Sequence, residues 1–249
     1  MPLDAAISRT AARAAFPAAL HANLCQSCAA RSAGVCVAVK SDALSRLAGS
    51  RAPQSVAIGK TFINEGEPAT HFFALTEGAV KLFKLMPDGR RAVTGFLFPG
   101  DLIGFNAGDR HACSAEAMTP VSLCRFPKRQ LDRLFLDFPG MERQTFKLMS
   151  QELANAQDHM VLLGRKTAHE RVASFLLALG RRAGRTAWLD LPMTRTDIAD
   201  YLGLTTETVS RVFTVLKGSG CIVLAGSRVK VADADALAEL AEGVVGDDD

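Results

Sequence analysis

The sequence predicts an α+β protein: a β-rich front half, one long amphipathic helix, and a C-terminal helix-turn-helix followed by a β-hairpin. Three observations carry this. Between residues 46 and 135 glycine recurs at 59, 66, 78, 89, 95, 100, 104 and 108, with short apolar runs such as HFFAL, AVKLFKL and AVTGFLF between them. Many short strands at regular spacing suggest an all-β barrel or sandwich. From Met141 glycine disappears until Gly164, and apolar residues fall at helical spacing. Met193–Lys217 then reads as two short helices joined by a Gly-containing turn, the helix-turn-helix signature.

Composition bounds the rest. The chain has 249 residues, 48% hydrophobic and 22% charged, enough for one large or two ordinary domains with a real core. Six cysteines fall far below the density of a disulfide scaffold. No apolar run approaches the ~18–20 residues that span a bilayer. The Ala-rich N-terminus carries Asp4, and Arg9, Arg13 and Pro17 interrupt its apolar stretch, so it makes a poor signal peptide. These features lead us to expect a cytoplasmic protein with no membrane partner, whose cysteines are thiols or metal ligands. The net charge of +3 is uneven: Ala232–Asp249 holds seven acidic residues and no lysine or arginine, which leaves the first 231 residues at about +10. Such a body allows an anionic partner.

Residues 1–45 hold Cys25, Cys28 and Cys36, a C-x2-C-x7-C pattern. Thiolates in such patterns bind zinc or iron–sulfur clusters, and either needs a fourth ligand. If Thr119-Pro120 forms a hairpin turn, Cys113 and Cys124 lie on paired strands and on the same face, and spacing does not choose between them. Cys221 reads as a small buried apolar residue. Within the β region, Pro87-Asp88-Gly89 marks a turn between two strands.

The long helix places Phe146, Met149, Leu153, Ala156, Met160 and Leu163 at spacings of 3, 4, 3, 4, 3, the a/d seam of a coiled coil over about two and a half heptads. Either this face packs on its own domain or it pairs with a second copy as a homodimer. A second helix, about 167–183, carries Val172, Phe175, Leu176 and Leu179 on one face. In the helix-turn-helix, Thr194-x-x-Asp197 reads as a capping signal. Ile198, Ala199 and Leu202 form the buried stripe, Gly203 ends the first helix, and Thr205 caps the second. Val209, Val212, Phe213 and Leu216 line one face of that second helix.

Its polar face carries Glu207, Ser210 and Arg211 at i, i+3, i+4. Residues there reach base edges in such motifs: a carboxylate accepts from cytosine N4, and arginine forks onto guanine. A solvated Glu–Arg pair is the plainer alternative. Ile222–Leu224 and Val229–Val231 flank Gly226-Ser227 as a wing hairpin. Thr194, Thr206, Lys217 and Arg228 are candidate phosphate contacts, which position without specifying.

The order of cysteines, β region, long helix and winged helix, with FINEGEPATHFFALTEGAVKLFK, PGDLIGF, HERVASFLLAL and MTRTDIADYLGLTTETVSR, resembles the FNR branch of the CRP/FNR transcription regulators. The resemblance runs from about Leu24 to Leu240. It implies a cyclic-nucleotide-binding-like β-roll (46–138) behind a cysteine-bearing segment (1–45), a dimerisation helix (139–166), a winged helix (167–240) and an acidic tail (241–249). It also implies an oxygen-labile 4Fe-4S cluster held by Cys25, Cys28, Cys36 and a cysteine late in the roll. That cysteine precedes an apolar–Pro pair, as Cys124 does in SLCRFPKRQL; Cys113 is the reserve. Glu207, Ser210 and Arg211 match the reading head for TTGAT-like half-sites on double-stranded DNA, and the roll is expected to contact RNA polymerase.

Members that bind a cyclic nucleotide use a Gly-Glu pair and then Arg-Ser. IGFNAGDRHACSAEA has no such Glu and no Arg-Ser, so no cyclic nucleotide is expected. The alternatives are a regulator of this type without a cluster, its cysteines binding zinc or acting as redox thiols, or an iron–sulfur electron carrier or enzyme. The last has little support: His21, His71, His111, His159 and His169 form no ligand-spaced pair, and there is no Gly-rich phosphate loop, nucleophile elbow or second cysteine group. His159 and His169 read as surface residues of helices. The expected output is binding, with no catalysis.

Overall fold

The computed structural model describes residues 25, 28–40, 43–105, 108–183 and 188–243. Its front half is two four-stranded antiparallel sheets. The first has the order β1 (Ala52–Val56), β8 (Val121–Pro127), β3 (His71–Glu77), β6 (Leu102–Ile103). The second has the order β2 (Thr61–Ile63), β7 (Ser114–Ala117), β4 (Val80–Leu85), β5 (Arg91–Leu97). Side chains alternate across a strand, so Val56, Phe73, Leu75, Ile103, Val121 and Leu123 of the first sheet meet Ile63, Val80, Leu97, Ala115 and Ala117 of the second in a closed core. The Pro87-Asp88-Gly89 turn joins β4 to β5, with Gly89 at φ 84.

One expectation fails here. Thr119-Pro120 does not turn a hairpin: β7 pairs with β2 and β4, whereas β8 pairs with β1 and β3. The connection crosses between sheets because Ala115 and Ala117 on one side, and Val121 and Leu123 on the other, all supply the same core from opposite layers. Cys113 and Cys124 therefore do not share a face.

Each sheet also buries part of its outer face. On the first, Phe72, Ala74 and Phe126 pack against Val35 and Val39 of the cysteine-bearing segment and Leu44 and Leu47 of α1 (Leu44–Gly49). Leu134 of α2 (Leu131–Asp137), Phe138, and Met141 of α3 (Pro139–Arg165) complete that layer. On the second sheet, Ala79, Phe83, Val93, Phe96 and Met118 join the core of the C-terminal unit.

Helix α3 has 27 residues, about 40 Å at 1.5 Å per residue, and starts with proline in its first turn, where a missing N–H costs nothing. Met141, Thr145 and Leu162 are its buried positions. Its heptad seam faces away from its own chain: Phe146 is 76% exposed, Leu153 62% and Met160 65%, with Ala156 and Leu163 also exposed and Met149 half-buried. The helix near its start presses on the cysteine-bearing segment. A Cβ added at Gly140 would stand 2.9 Å from the Ala38 carbonyl oxygen and 3.2 Å from Ala38 Cβ.

Only Lys166 and Thr167 separate α3 from α4 (Ala168–Ala183). Arg171 bridges that joint. Its Nε donates to the Lys166 carbonyl (2.8 Å), its Nη2 to Leu163 (2.9 Å) and its Nη1 to Leu202 (2.9 Å). The C-terminal unit continues with β9 (Leu189–Asp190), α5 (Arg195–Leu202), α6 (Thr206–Gly218), the wing β10 (Ile222–Ala225) and β11 (Arg228–Val231), and α7 (Ala234–Ala241). The strand order is β10-β11-β9. Two expected boundaries shift: the division at 45/46 falls inside α1 and that at 240/241 inside α7. Asp233 caps α7 through the Asp235 and Ala236 amides, so part of the acidic stretch is helix. The rest of the tail, 244–249, lies outside the described residues.

Candidate functional site

The helix-turn-helix forms from local signals. Thr194 accepts from the Asp197 amide while the Asp197 carboxylate accepts from the Thr194 amide, a reciprocal capping box. Gly203 ends α5 at φ 61, the left-handed region where a side chain would be strained. Thr205 then caps α6 by accepting from the Thr208 amide. Ile198, Ala199, Leu202, Val209, Val212, Phe213 and Leu216 are all buried, so the polar face of α6 has one place to go.

Glu207, Ser210 and Arg211 are exposed together on the first turns of α6. The helix's own amide at 207, the Thr205 hydroxyl and Arg211 hold the Glu207 carboxyl below its ordinary range, so it faces solvent as an acceptor. The Ser210 hydroxyl donates to the Thr206 carbonyl at 2.8 Å. Of the candidate phosphate contacts, Lys217 and Arg228 are exposed; Arg228 lies over the Trp188 ring at 5.3 Å. Thr206 donates to Thr196 at 3.4 Å. The Thr194 hydroxyl donates to Asp197 Oδ2 at 2.7 Å, so its proton is engaged in the cap. A groove of 240 Å³ beside the wing turn is lined by Arg195, Gly226, Ser227 and Arg228 among others. It holds two guanidinium groups, that of Arg195 lying over the Phe213 ring at 3.5 Å.

The cysteines converge at the other end of the molecule. Cys25, Cys28, Cys36 and Cys124 line one small cavity between the N-terminal segment and the outer face of the first sheet, with Arg51 beside them. Cys124 points there because Leu123 and Phe126 take their alternating places on β8. Burial first, then the neighbouring thiols, pushes Cys36 up to about 12. Burial pushes Cys124 up to about 11, against the pull of Arg51. As placed, no three Cys, His, Asp or Glu side chains among the described residues stand close enough to hold a metal ion. Cys113 is elsewhere, near Lys84 and Glu65 at the second sheet. Cys221 is buried.

The comparisons agree with this architecture. The family model described as a cyclic nucleotide-binding domain matches residues 53–138, and that of a Crp-like helix-turn-helix domain matches 170–240. The chain is 40% identical over 217 residues to the nitrogen fixation regulation protein FixK of Bradyrhizobium diazoefficiens, covering 86% of this chain and 92% of that protein. The chain belongs to the CRP/FNR family of transcription regulators. A second CRP/FNR relative, the transcriptional activatory protein AadR of Rhodopseudomonas palustris, is 42% identical over 186 residues, covering 72% of this chain and 78% of that one. The solved structure of FixK2 from Bradyrhizobium japonicum aligns with a TM-score of 0.72 at 37% identity, over 76% of this chain and 96% of that one.

Several residues that shape this CRP/FNR regulator escape local sequence reading. Arg51 has no motif, but it adjoins β1, where Pro53 faces Cys124 in register. Arg171 lies in the HERVASF stretch, and only the folded joint shows its three carbonyl partners. His159, expected at the surface, is half-buried and stacks on Tyr201 at 4.1 Å. The reason is that α3 ends against α5.

Proposed function

We propose that the protein is an oxygen-responsive transcription activator of the cytoplasm. In this reading it binds near-palindromic, TTGAT-type sites as a homodimer and contacts RNA polymerase through its β-roll. The observation that carries the reading is the convergence of Cys25, Cys28, Cys36 and Cys124 on one cavity, on the layer that also packs the start of α3. Four sulfur donors suit an iron–sulfur cluster; Cys25, Cys28, Cys36 and Cys124 would hold a 4Fe-4S group once drawn closer than they stand here. When bound, that group supplies a centre that oxygen can oxidise.

The chain's own residues carry the coupling. Val35 and Val39, on either side of Cys36, share a buried layer with Phe138 and Met141, and Gly140 lets the backbone at Ala38 approach α3. Ordering of the cysteine segment thereby steadies the helix whose outer seam is Phe146, Met149, Leu153, Ala156, Met160 and Leu163. Pairing of two such seams sets two α6 helices one DNA turn apart, ~34 Å. Glu207 and Arg211 then meet base edges, Ser210 joins them as an acceptor, and Thr206, Lys217, Arg228 and Thr194 lie toward the phosphates. By linkage, ordering of the cysteine segment and DNA binding favour each other. The roll region IGFNAGDRHACSAEA lacks the Gly-Glu and Arg-Ser pairs of members that bind a cyclic nucleotide, and in this reading the roll serves as scaffold.

The test is an ultraviolet–visible spectrum with iron and sulfide analysis on protein purified without oxygen, then exposed to air. A broad band near 400 nm that bleaches in air, with about four irons per chain, is expected. It should vanish in Cys124→Ser and persist in Cys113→Ser. The spacing of the thiols as placed, too wide for a metal ion, favours a second reading, in which the same DNA-binding dimer carries free redox thiols. Colourless, metal-free protein that still binds DNA would support that one, and bound zinc would overturn it.

A further inference from the structure

The winged helix rests on the second sheet through an apolar patch: Phe83, Phe96 and Met118 below, Phe175 and Tyr201 above. Apolar contact is non-directional and would tolerate sliding or rotation. One polar contact inside the patch would not. Lys81 of β4 and Asp197 of α5 meet at 2.7 Å, both nearly buried at 8% and 9% exposure. Lys81 is also held by Glu116 of β7 at 3.0 Å, and Glu116 in turn by Arg91 at 3.4 Å. The Asp197 carboxylate is divided between two tasks. Oδ2 accepts from the Thr194 amide and hydroxyl that cap α5, and Oδ1 accepts from Lys81 of the roll. The start of the helix-turn-helix is thus fastened to the sheet by the same group that starts it. At the rim, Arg182 of α4 grips both oxygens of Asp101 at 2.7 and 2.9 Å. A buried charge pair has one low-energy register, and any other leaves a charge unpaired in a dry contact.

We propose that Lys81 is a positioning residue for DNA reading: its contact with Asp197 fixes the register of the winged helix on the β-roll, and so the separation and tilt of the two reading helices in the dimer. The exposed face of Glu207, Ser210 and Arg211 and the open seam of α3 show that this docked register leaves both working surfaces free. The inference rests on the dimeric DNA-binding reading above.

The test uses full-length protein and fluorescence anisotropy with three kinds of labelled duplex: a TTGAT-type palindrome, the same palindrome with one or two base pairs inserted between half-sites, and a single half-site. Wild type should favour the uninserted palindrome over the half-site by about a hundredfold, the gain expected when two heads engage at once. Lys81→Met should lose most of that ratio and bind the inserted duplexes nearly as well as the palindrome. Lys81→Arg, which can still pair with both acids, should restore the preference. If Lys81→Met fails to fold, Lys81→Met/Asp197→Asn removes both buried charges and leaves Glu116 to Arg91, and its ratio is read instead. A folded variant with the wild-type spacing profile, or a loss that Lys81→Arg does not restore, overturns the proposal. A wild type with no preference for the palindrome would instead overturn the dimeric reading.

Discussion

Alanine at Gly140 and alanine at Gly164 should move stability in opposite directions, although both glycines lie in α3. In a helix interior alanine is favoured over glycine by roughly 0.5–1 kcal/mol, through propensity and the entropy of the unfolded chain; both glycines lie in the terminal turns of α3, where about the lower figure applies. At Gly164 nothing stands within 4 Å of an added Cβ, so that gain should appear, a rise in Tm of roughly 1–2 °C for a chain of this size. At Gly140 the added Cβ meets the Ala38 carbonyl oxygen at 2.9 Å and Ala38 Cβ at 3.2 Å. The obstacle is backbone, held down by Val35 and Val39 in a packed layer, so the segment must back away as a unit. Overpacking of this kind costs about 1–3 kcal/mol. Less a propensity gain of about 0.5 kcal/mol, the net loss is about 0.5–2.5 kcal/mol, a fall in Tm of roughly 1–10 °C. Thermal melts of the purified protein followed by circular dichroism read both. A Gly140→Ala protein at least as stable as wild type would refute the claim that the cysteine segment seats on this helix.

Three other outcomes follow from the same geometry. Glu207→Ala should relax discrimination at one base pair by about ten- to a hundredfold in anisotropy titrations against single-base operator variants; an equal loss on every sequence would make Glu207 a structural residue. Leu153→Glu, at a seam position 62% exposed in the single chain, should leave the circular dichroism spectrum unchanged but convert the dimer to monomer in sedimentation. An intact dimer would place the interface elsewhere.

The third concerns pH. Burial raises the Asp197 carboxyl, but the hydrogen bonds from Lys81 and Thr194 outweigh it and hold the group below its ordinary 3.8. Its contribution is therefore present above that value and lost as pH falls through the folded one. Lys81 is raised above its ordinary 10.5, the bonds from Asp197 and Glu116 outweighing burial, so its share is present below 10.5 and lost only at more alkaline pH. The pair's contribution should be flat between these limits, and in Lys81→Met, where Asp197 has lost the partner that lowers it, the fall of Tm in acid should be shallower than in wild type. An acid fall of unchanged depth would show that the pair does not act as drawn.

What was legible in the sequence was local. The Pro87-Asp88-Gly89 turn, the Thr194–Asp197 cap, the glycine at 203 and the wing around Gly226-Ser227 each form from residues a few positions apart, so spacing reveals them. The outward-facing seam of α3 is visible as a period, but whether it meets its own domain depends on packing far along the chain. The β7–β8 connection misled because a turn signal fixes where the chain bends, not which sheet receives the next strand. Cys124 against Cys113 depended on that same choice. Lys81 and Asp197 are 116 positions apart, and nothing in AVKLFKL distinguishes a lysine pointing to solvent from one pointing under a second domain.

The Arg171 bridge bears on time rather than on stability. One guanidinium holds the last turn of α3, the connecting Lys166 and the last turn of α5 through three carbonyls. The joint between the dimer helix and the winged helix therefore lacks a shallow, continuous range of angles. To pivot, it must release three charge-assisted bonds together, then find a new seat. Motion there should be a click between discrete settings on the microsecond-to-millisecond scale of hinge transitions, slow enough to outlast many diffusive encounters with DNA.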